Sequence, residues 1–158
     1  MKRGAIVLCG GASRRMGLDK ATLPFGPELM VQRVVRLVRL VADPVIVVAA
    51  PAQNVPELPG PVVVVRDRRK GRGPLEGLLA GLNALQDESD VAYVTSCDVP
   101  LLVPDFAERM FDLVEEHQIA VPKDEKHYHP LAAVYRKSVL GLVQRLLDAD
   151  RLRPFYLF

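Results

Sequence analysis

Two glycines followed by clustered cations form the first candidate site of the chain. A short apolar run ends at Gly10 and Gly11, and Arg14, Arg15 and Lys20 follow shortly afterwards. Glycine has no Cβ, so backbone N–H groups at these positions can approach a ligand closely. Small residues beside positive charge are a common arrangement for binding polyphosphates. The segment therefore predicts a polyphosphate-binding loop.

The common glycine-rich nucleotide motifs do not describe this loop. A Walker A motif has a glycine directly before its lysine and then Ser or Thr, whereas here two residues separate Gly17 from Lys20 and Ala21 follows. The dinucleotide pattern G-x-G-x-x-G is also absent from the segment. The alternative is an ordinary strand-to-helix turn with solvated arginines, and the added pattern R-R-M-G-x-x-K argues against it.

A carboxylate follows the fourth apolar run, in the sequence Ser96-Cys97-Asp98-Val99-Pro100. In proteins, Mg²⁺ prefers one or two carboxylates together with substrate phosphates and water. A carboxylate near a polyphosphate loop therefore predicts a Mg²⁺ site at Asp98. The alternative is that Asp98 caps a turn before Pro100, and the motif taken alone favours that interpretation.

Three further segments are weaker candidates. Residues 71–77, G-R-G-P-L-E-G, open a predicted helix whose unpaired N–H groups could face an anion. Residues 66–72 carry five cations interrupted by Asp67 and could attract an anionic ligand, although such a run alone is typical of a solvated loop. His127 and His129 could bind a transition metal, but the lack of a cysteine or third histidine nearby favours a loop that faces ligand or solvent.

The elements that must position these residues follow from hydrophobic periodicity. Continuous apolar runs predict strands at residues 5–8, 45–50, 62–65 and 91–95, with shorter candidates at 119–121 and 131–135. Apolar residues spaced by three and four predict four helices. Their expected buried faces are Met30, Val34, Leu37, Val38 and Val41; Leu75, Leu78, Leu79, Leu82 and Leu85; Phe106, Met110, Leu113 and Val114; and Leu142, Val143, Leu146 and Leu147.

Strands that are apolar throughout, with helices between them, indicate a parallel sheet covered on both faces. The predicted fold class is therefore α/β, with three layers and a mostly parallel sheet that carries helices on both faces. Ligands of such sheets bind outside the carboxyl ends of the strands. That rule brings residues 8–20, 49–54, 66–77 and 96–101 to one edge of the sheet.

Composition excludes several classes of function. The chain has 158 residues, 49% of them hydrophobic and 25% charged, so we expect residues 1–158 to form one globular domain. A net charge of +2 without interleaved aromatic and basic residues argues against nucleic-acid binding. The first apolar run is too short for a signal peptide, and the others fall short of the roughly 18 residues of a membrane span. Two cysteines do not make a disulfide framework, so we expect a cytoplasmic protein. The short apolar runs lead us to expect that it binds no membrane.

Together the motifs resemble those of the molybdenum cofactor guanylyltransferases, the MobA-type nucleotidyltransferases. The first reads L-C-G-G-A-S-R-R-M-G-L-D-K from Leu8, and the second G-P-L-E-G from Gly73, with Asp67 shortly before it. The third is C-D-V-P from Cys97, and a looser fourth is H-P from His129 before an apolar strand. They follow the family order and spacing over essentially the whole chain, and the double glycine of the first motif favours the guanylyl members.

The resemblance implies a Rossmann-like nucleotidyltransferase fold and a specific reaction. A terminal phosphate oxygen of molybdopterin attacks the α-phosphate of GTP, pyrophosphate leaves, and molybdopterin guanine dinucleotide forms. The nucleophile is already an anion, so no general base is needed. Mg²⁺ would be the cofactor and Asp98 its ligand, and the catalytic residues would be Arg15, Lys20 and Asp98. The expected nucleotide and metal contacts are Leu8, Cys9, Gly10, Gly11, Lys20, Asp67, Gly73, Pro74 and Asp98.

By the same resemblance, GTP and molybdopterin are the small-molecule partners, and a molybdoenzyme or a cofactor-insertion protein is the candidate protein partner.

The chain departs from the family pattern in two places. The family often offers an asparagine after the second strand, where this chain has Ala49-Ala50-Pro51 and only later Gln53. Family members also continue beyond the position of Phe158 with an Asn-rich motif, so we expect the domain to lack its C-terminal segment.

Two alternatives remain open at this point. One is a sibling enzyme of the same fold that transfers a cytidylyl group to molybdopterin or a nucleotidyl group to a sugar phosphate. The other is a non-catalytic adaptor that binds a nucleotide without turning it over.

Overall fold

The computed structural model describes residues 1–10, 19–85 and 89–158. In chain order the elements are β1 (Arg3–Leu8), a 3-10 helix (Lys20–Thr22), β2 (Pro24–Phe25), β3 (Glu28–Leu29), α1 (Met30–Val38), β4 (Val45–Ala49), β5 (Val63–Arg66), α2 (Pro74–Ala84), β6 (Val91–Ser96), α3 (Pro104–Val114), β7 (Ile119–Ala120), β8 (Ala132–Arg136), a 3-10 helix (Lys137–Val139), α4 (Leu140–Asp148) and a 3-10 helix (Pro154–Leu157). No helix among these described residues is both long enough and apolar enough to span a membrane.

Six strands form the main sheet in the order β5-β4-β1-β6-β8-β7. The four strands predicted first, β1, β4, β5 and β6, are mutually parallel, which confirms the mostly parallel sheet. The fifth in spatial order, β8, runs antiparallel to β6. The loop before β8 therefore lies at the same edge of the sheet as the loops that follow the parallel strands.

Alternation along the strands divides the core into two layers. In β1, Ala5 and Val7 pack with α1 and α3, whereas Ile6 and Leu8 pack with α2 and α4. The strands β4 and β6 alternate in the same way. Because side chains of a strand point to opposite faces in turn, an apolar strand needs helices on both sides. The structure confirms three layers.

The second helix follows its predicted pattern closely. Pro74 occupies its first turn, where a missing N–H costs no hydrogen bond, and Gly73 precedes it with φ of +73°. The five leucines of the predicted face are all buried. Burying each of these side chains stabilises the fold by about 1.5–3 kcal/mol, so α2 is a firm support for the loop before it.

The third helix differs from its prediction. Phe106 and Leu113 are 42% and 46% exposed, and the buried positions are Ala107, Met110, Phe111 and Val114. The buried face of the helix is thus rotated from the predicted one. The ring of Phe111 sets this orientation by packing beside Tyr93 of β6, with 6.4 Å between the ring centroids. The pattern of large apolar residues failed here because the small Ala107 takes a core position.

The strand β5 is less covered than the sequence indicates. Val63 and Val64 are 48% and 42% exposed, although the run 62–65 reads as a buried strand. The strand pairs with β4 on one side and is the last of its sheet on the other. An edge strand has only one neighbour to cover it, which accounts for the exposed valines.

We expect Gly81→Ala to destabilise the protein by about 1–2 kcal/mol. A Cβ at this position of α2 would lie 2.5 Å from Cγ2 of Ile6, which is fully buried in β1. Overpacking of this kind costs about 1–3 kcal/mol, more than the roughly 0.5–1 kcal/mol by which alanine is favoured over glycine in a helix. Urea unfolding measures the difference.

Gly141→Ala is the matched control, because in α4 the nearest atom to the added Cβ is 3.6 Å away. That variant should keep or slightly raise the free energy of unfolding. Equal stability of Gly81→Ala and the wild type would contradict the close packing of α2 against β1.

Candidate active site

Seven of the ten residues predicted for the site meet in a cavity of about 340 Å³ at the carboxyl edge of the sheet. Its walls come from the ends of β1 and β6, the start of α2, and the loop before β8. The chain leaves β1 toward β4 on one side and returns to β6 on the other, so a crevice opens between β1 and β6. We call it the β1–β6 cavity. It is lined by Leu8, Cys9, Gly10, Lys20, Gly73, Pro74, Ser96, Cys97, Asp98 and Leu131.

An ion pair spans this cavity. Nζ of Lys20 lies 3.2 Å from Oδ2 of Asp98, and the hydroxyl of Ser96 donates a hydrogen bond to Oδ1 of the same carboxylate. The hydroxyl of Ser96 and then the ammonium of Lys20 lower the pKa of Asp98. The carboxylate is therefore charged near neutral pH, and with a third of its side chain exposed it remains accessible to a ligand.

The second candidate carboxylate, Asp67, lies behind Gly10, which follows the end of β1. A Cβ on Gly10 would come 2.8 Å from Oδ2 of Asp67 and 3.0 Å from the backbone N of Ala50. Only glycine fits this close approach without displacing the carboxylate or the backbone. Glycine at position 10 thus serves packing around Asp67 as well as access to a ligand.

The environment of Asp67 disfavours its charge. Burial, followed by the nearby Glu76, raises the pKa of Asp67 to about 6. Its Oδ1 atom is buried and has no hydrogen-bond partner in the described part of the chain. A buried acceptor without a partner costs free energy, so a ligand that supplies an N–H donor here would be favoured.

Three of the five cations in residues 66–72 serve the structure. Arg66 donates to the backbone oxygens of Ala50 and Gln53, and Arg69 pairs with the buried Glu76 at 3.1 Å. Arg72 pairs with Asp150 and donates to the backbone oxygen of Leu147. The remaining two, Arg68 and Lys70, are exposed and have no polar partner among residues 1–10, 19–85 and 89–158. The expected attraction of an anion by this segment thus narrows to these two residues.

The two histidines considered as metal ligands lie in the loop before β8. Nε2 of His129 is 2.9 Å from Oδ2 of Asp124, and Asp124 also accepts the backbone N–H groups of Lys126 and His127. Those two N–H groups, and then His129, lower the pKa of Asp124 to about 2. Within the described residues no group of three or more metal-ligating side chains forms. The geometry accordingly favours a loop stabilised by an Asp–His pair.

The two cysteines meet at the floor of the cavity. Cys9 and Cys97 follow paired residues of β1 and β6. The neighbouring thiol of Cys97, and then burial, raise the pKa of Cys9. Both thiols are free, as the cysteine count predicted, and both are buried.

Some predictions cannot be placed and some residues were missed. Gly11 and the proposed catalytic Arg15 lie outside the described residues. Sequence reasoning missed Ser96 as the partner of Asp98, and it undervalued Gln53, whose side chain reaches the end of β1. Both are polar side chains at or shortly after the carboxyl end of an apolar parallel strand, which marks them as site candidates but does not indicate their partners.

Comparison with known proteins places this geometry in a family. Residues 5–157 match the profile of the MobA-like NTP transferase domain. A probable molybdenum cofactor guanylyltransferase of Mycobacterium avium is 37% identical over 152 residues, which cover 93% of this chain and 76% of that protein.

Solved structures share the fold. One is the molybdopterin-guanine dinucleotide biosynthesis protein A of Archaeoglobus fulgidus, 20% identical with a TM-score of 0.75, covering 99% of this chain and 77% of that one. Another is Rv0371c of Mycobacterium tuberculosis in complex with manganese, 19% identical with a TM-score of 0.67, covering 92% of this chain and 77% of that one.

Proposed function

This chain belongs to the MobA-like NTP transferase family, and we propose that it transfers GMP from GTP to molybdopterin with release of pyrophosphate. The observation that carries the proposal is the Lys20–Asp98 pair in the β1–β6 cavity, where a parallel sheet binds its ligands. The product would be molybdopterin guanine dinucleotide, and its recipient a molybdoenzyme or a cofactor-insertion protein.

We propose that the reaction depends on a divalent cation, Mg²⁺, held by Asp98. One related structure is a manganese complex. The donor set of this chain fits Mg²⁺, because that ion is held by one or two carboxylates and takes its other ligands from substrate phosphates and water. The lowered pKa of Asp98 keeps the carboxylate ready for a cation. A bound Mg²⁺ would supply positive charge that offsets the negative charge of the phosphates.

The residues of the chain supply positioning and charge. Lys20, and Arg15 by its place in the motif, would neutralise the leaving pyrophosphate. The backbone of Leu8, Cys9, Gly10 and Gly11, and the turn at Gly73 and Pro74, would lie along the nucleotide. Phosphoryl-type transfers depend chiefly on such positioning and on electrostatic stabilisation, and a separate base is unnecessary because the attacking phosphate is an anion.

We assign recognition of the base to Asp67. Guanine carries adjacent N–H donors at N1 and N2, and a carboxylate can accept both. The unpartnered Oδ1 of Asp67 supports this assignment, since a guanine would satisfy an acceptor that the protein leaves open. The side chain of Gln53 is not free to help, because Cys9 and Asp19 already take up its N–H groups.

Asp67→Asn should weaken GTP binding about 10- to 100-fold and flatten its pH dependence. The asparagine amide places an N–H donor where guanine also has N–H donors, so one hydrogen bond is lost. A bidentate contact between a side chain and a base contributes about 1–3 kcal/mol. In the wild type, affinity should fall as the pH drops below about 6, because the carboxyl group becomes protonated. Calorimetric titration of GTP between pH 5 and 8 measures both effects, with the exposed Asp105→Asn as control. Affinity of the wild type that matches Asp67→Asn at every pH would contradict the assignment.

The same variant should stabilise the free protein above pH 6. A carboxyl group whose pKa is raised on folding favours the folded state below its ordinary pKa of 3.8, and that stability is lost as the pH rises through about 6. Because Asp67 is half-buried, we expect a gain of only about 1 kcal/mol for Asp67→Asn at pH 8.

Calorimetry of GTP, CTP and ATP with Mg²⁺ present separates the candidate functions. The proposal predicts that GTP binds tightest. Binding of CTP without GTP would instead favour a cytidylyltransferase of the same fold. Tight GTP binding without pyrophosphate release in the presence of molybdopterin would favour the nucleotide-binding adaptor.

A further inference from the structure

The side chain of Gln53 joins three segments of the candidate site. Its Oε1 accepts the backbone N–H of Ala50 at 3.0 Å, and its Nε2 donates to the backbone oxygen of Cys9 at 3.1 Å. The same Nε2 lies 2.9 and 3.0 Å from the two carboxylate oxygens of Asp19. An amide has two N–H groups, so one goes to Cys9 and the other to Asp19. Its orientation is therefore fixed by groups on both sides.

Asp19 passes this constraint to the residue that follows it. Its Oδ1 accepts the N–H of Ala21 at 3.0 Å, and its backbone oxygen accepts the hydroxyl of Thr22 at 3.1 Å. These bonds cap the 3-10 helix Lys20–Thr22, whose central residue, Ala21, is buried in the core. The backbone of Lys20 is thus held in place, while its half-exposed ammonium reaches Asp98.

We propose that Gln53 is a positioning residue that acts through Asp19 to hold Lys20 against Asp98. This inference rests on the proposed function in assigning Lys20 to the polyphosphate. Lys20 has a long side chain with many rotamers, so its geometry depends on where its backbone is anchored. The amide of Gln53 connects that anchor to the buried end of β1, where Leu8 and Cys9 are each only 8% exposed.

A double-mutant cycle with inorganic tripolyphosphate and Mg²⁺ tests the coupling without requiring turnover. Gln53→Ala should lower the affinity about tenfold, the effect of losing a hydrogen bond to a charged group. In the Lys20→Ala background the same change should have no further effect, because Gln53 acts only through Lys20. A merely structural role would lower affinity equally in both backgrounds and overturn the inference. Absence of tripolyphosphate binding in the wild type would also overturn it.

Two further variants make the result interpretable. Gln53→Met keeps the length of the side chain but not its hydrogen bonds, and should show the same roughly tenfold loss of tripolyphosphate affinity. This variant tests the inference if Gln53→Ala folds poorly. Gln144→Ala removes an amide that donates to Asp148 on α4, away from the cavity, and should leave affinity unchanged. In the active enzyme, kcat/KM for GTP should follow the tripolyphosphate affinities. If the affinities show the coupling while no variant or wild type releases pyrophosphate, the proposed function fails and the role of Gln53 stands.

Discussion

Asp98→Asn is expected to lower kcat for pyrophosphate release by about 10³-fold. Asparagine keeps the shape of the side chain and can still contact Ser96, so the fold should be retained. It loses the negative charge that attracts a divalent cation and pairs with Lys20 at 3.2 Å. Because the triphosphate carries several negative charges and more charge develops on the leaving pyrophosphate, loss of the cation would remove much of the stabilisation of the transition state. Pyrophosphate release at saturating GTP, Mg²⁺ and molybdopterin measures the effect.

Asp112→Asn is the matched control for this prediction. Asp112 of α3 is also an ion-paired carboxylate, 3.0 Å from Arg3, and Arg3 begins β1 at the end of the strand opposite the carboxyl edge. An exposed pair of this kind contributes about 0–1 kcal/mol to stability, so activity should be unchanged. If Asp98→Asn retained wild-type kcat, the assignment of the metal to Asp98 would be wrong.

Lys20→Ala should lower kcat/KM for GTP by about 10²–10³-fold. Among the described residues, Lys20 is the cation that lines the β1–β6 cavity, and its removal takes away one of the positive charges that would offset the triphosphate. Lys20→Arg should recover part of the activity, since it restores charge with a different shape. Steady-state kinetics at low and high salt measure the loss.

Lys2→Ala provides the comparison for this second prediction. Lys2 precedes β1 at the opposite edge of the sheet and carries the same charge in an exposed position. Its replacement changes net charge equally but should alter kcat/KM less than twofold. Similar losses in both variants would show that the effect comes from overall charge, in conflict with a specific contact at Lys20.

Much of the fold follows from local patterns. Apolar runs in β1, β4 and β6 predicted buried parallel strands, and the sheet rule placed their following loops at one edge. The leucines of α2 predicted its buried face correctly, because leucine side chains at spacings of three and four need an apolar partner surface. The predicted burial of Phe106 and Leu113 was wrong because α3 has more large apolar residues than its core face can hold. The tertiary packing of Phe111 determines which face of the helix is buried.

The site was predictable where a motif concentrates its residues. Lys20 and Asp98 stand in compact motifs after adjacent strands, so topology alone brings them near each other. The bridging role of Gln53 was not visible, because its partners are 34 and 44 positions away and one of them is a backbone oxygen. The unsatisfied oxygen of Asp67 was likewise hidden, since it depends on how Gly10 and Gly77 pack around it.

The most direct test of the proposed function is product formation by the purified chain. We expect incubation with GTP, Mg²⁺ and molybdopterin to yield molybdopterin guanine dinucleotide, detected by mass spectrometry, and one pyrophosphate for each product formed. Asp98→Asn should reduce both signals in parallel. The wild type could instead bind GTP normally but form no more product and pyrophosphate than Asp98→Asn. That result would contradict the assignment of a guanylyltransferase.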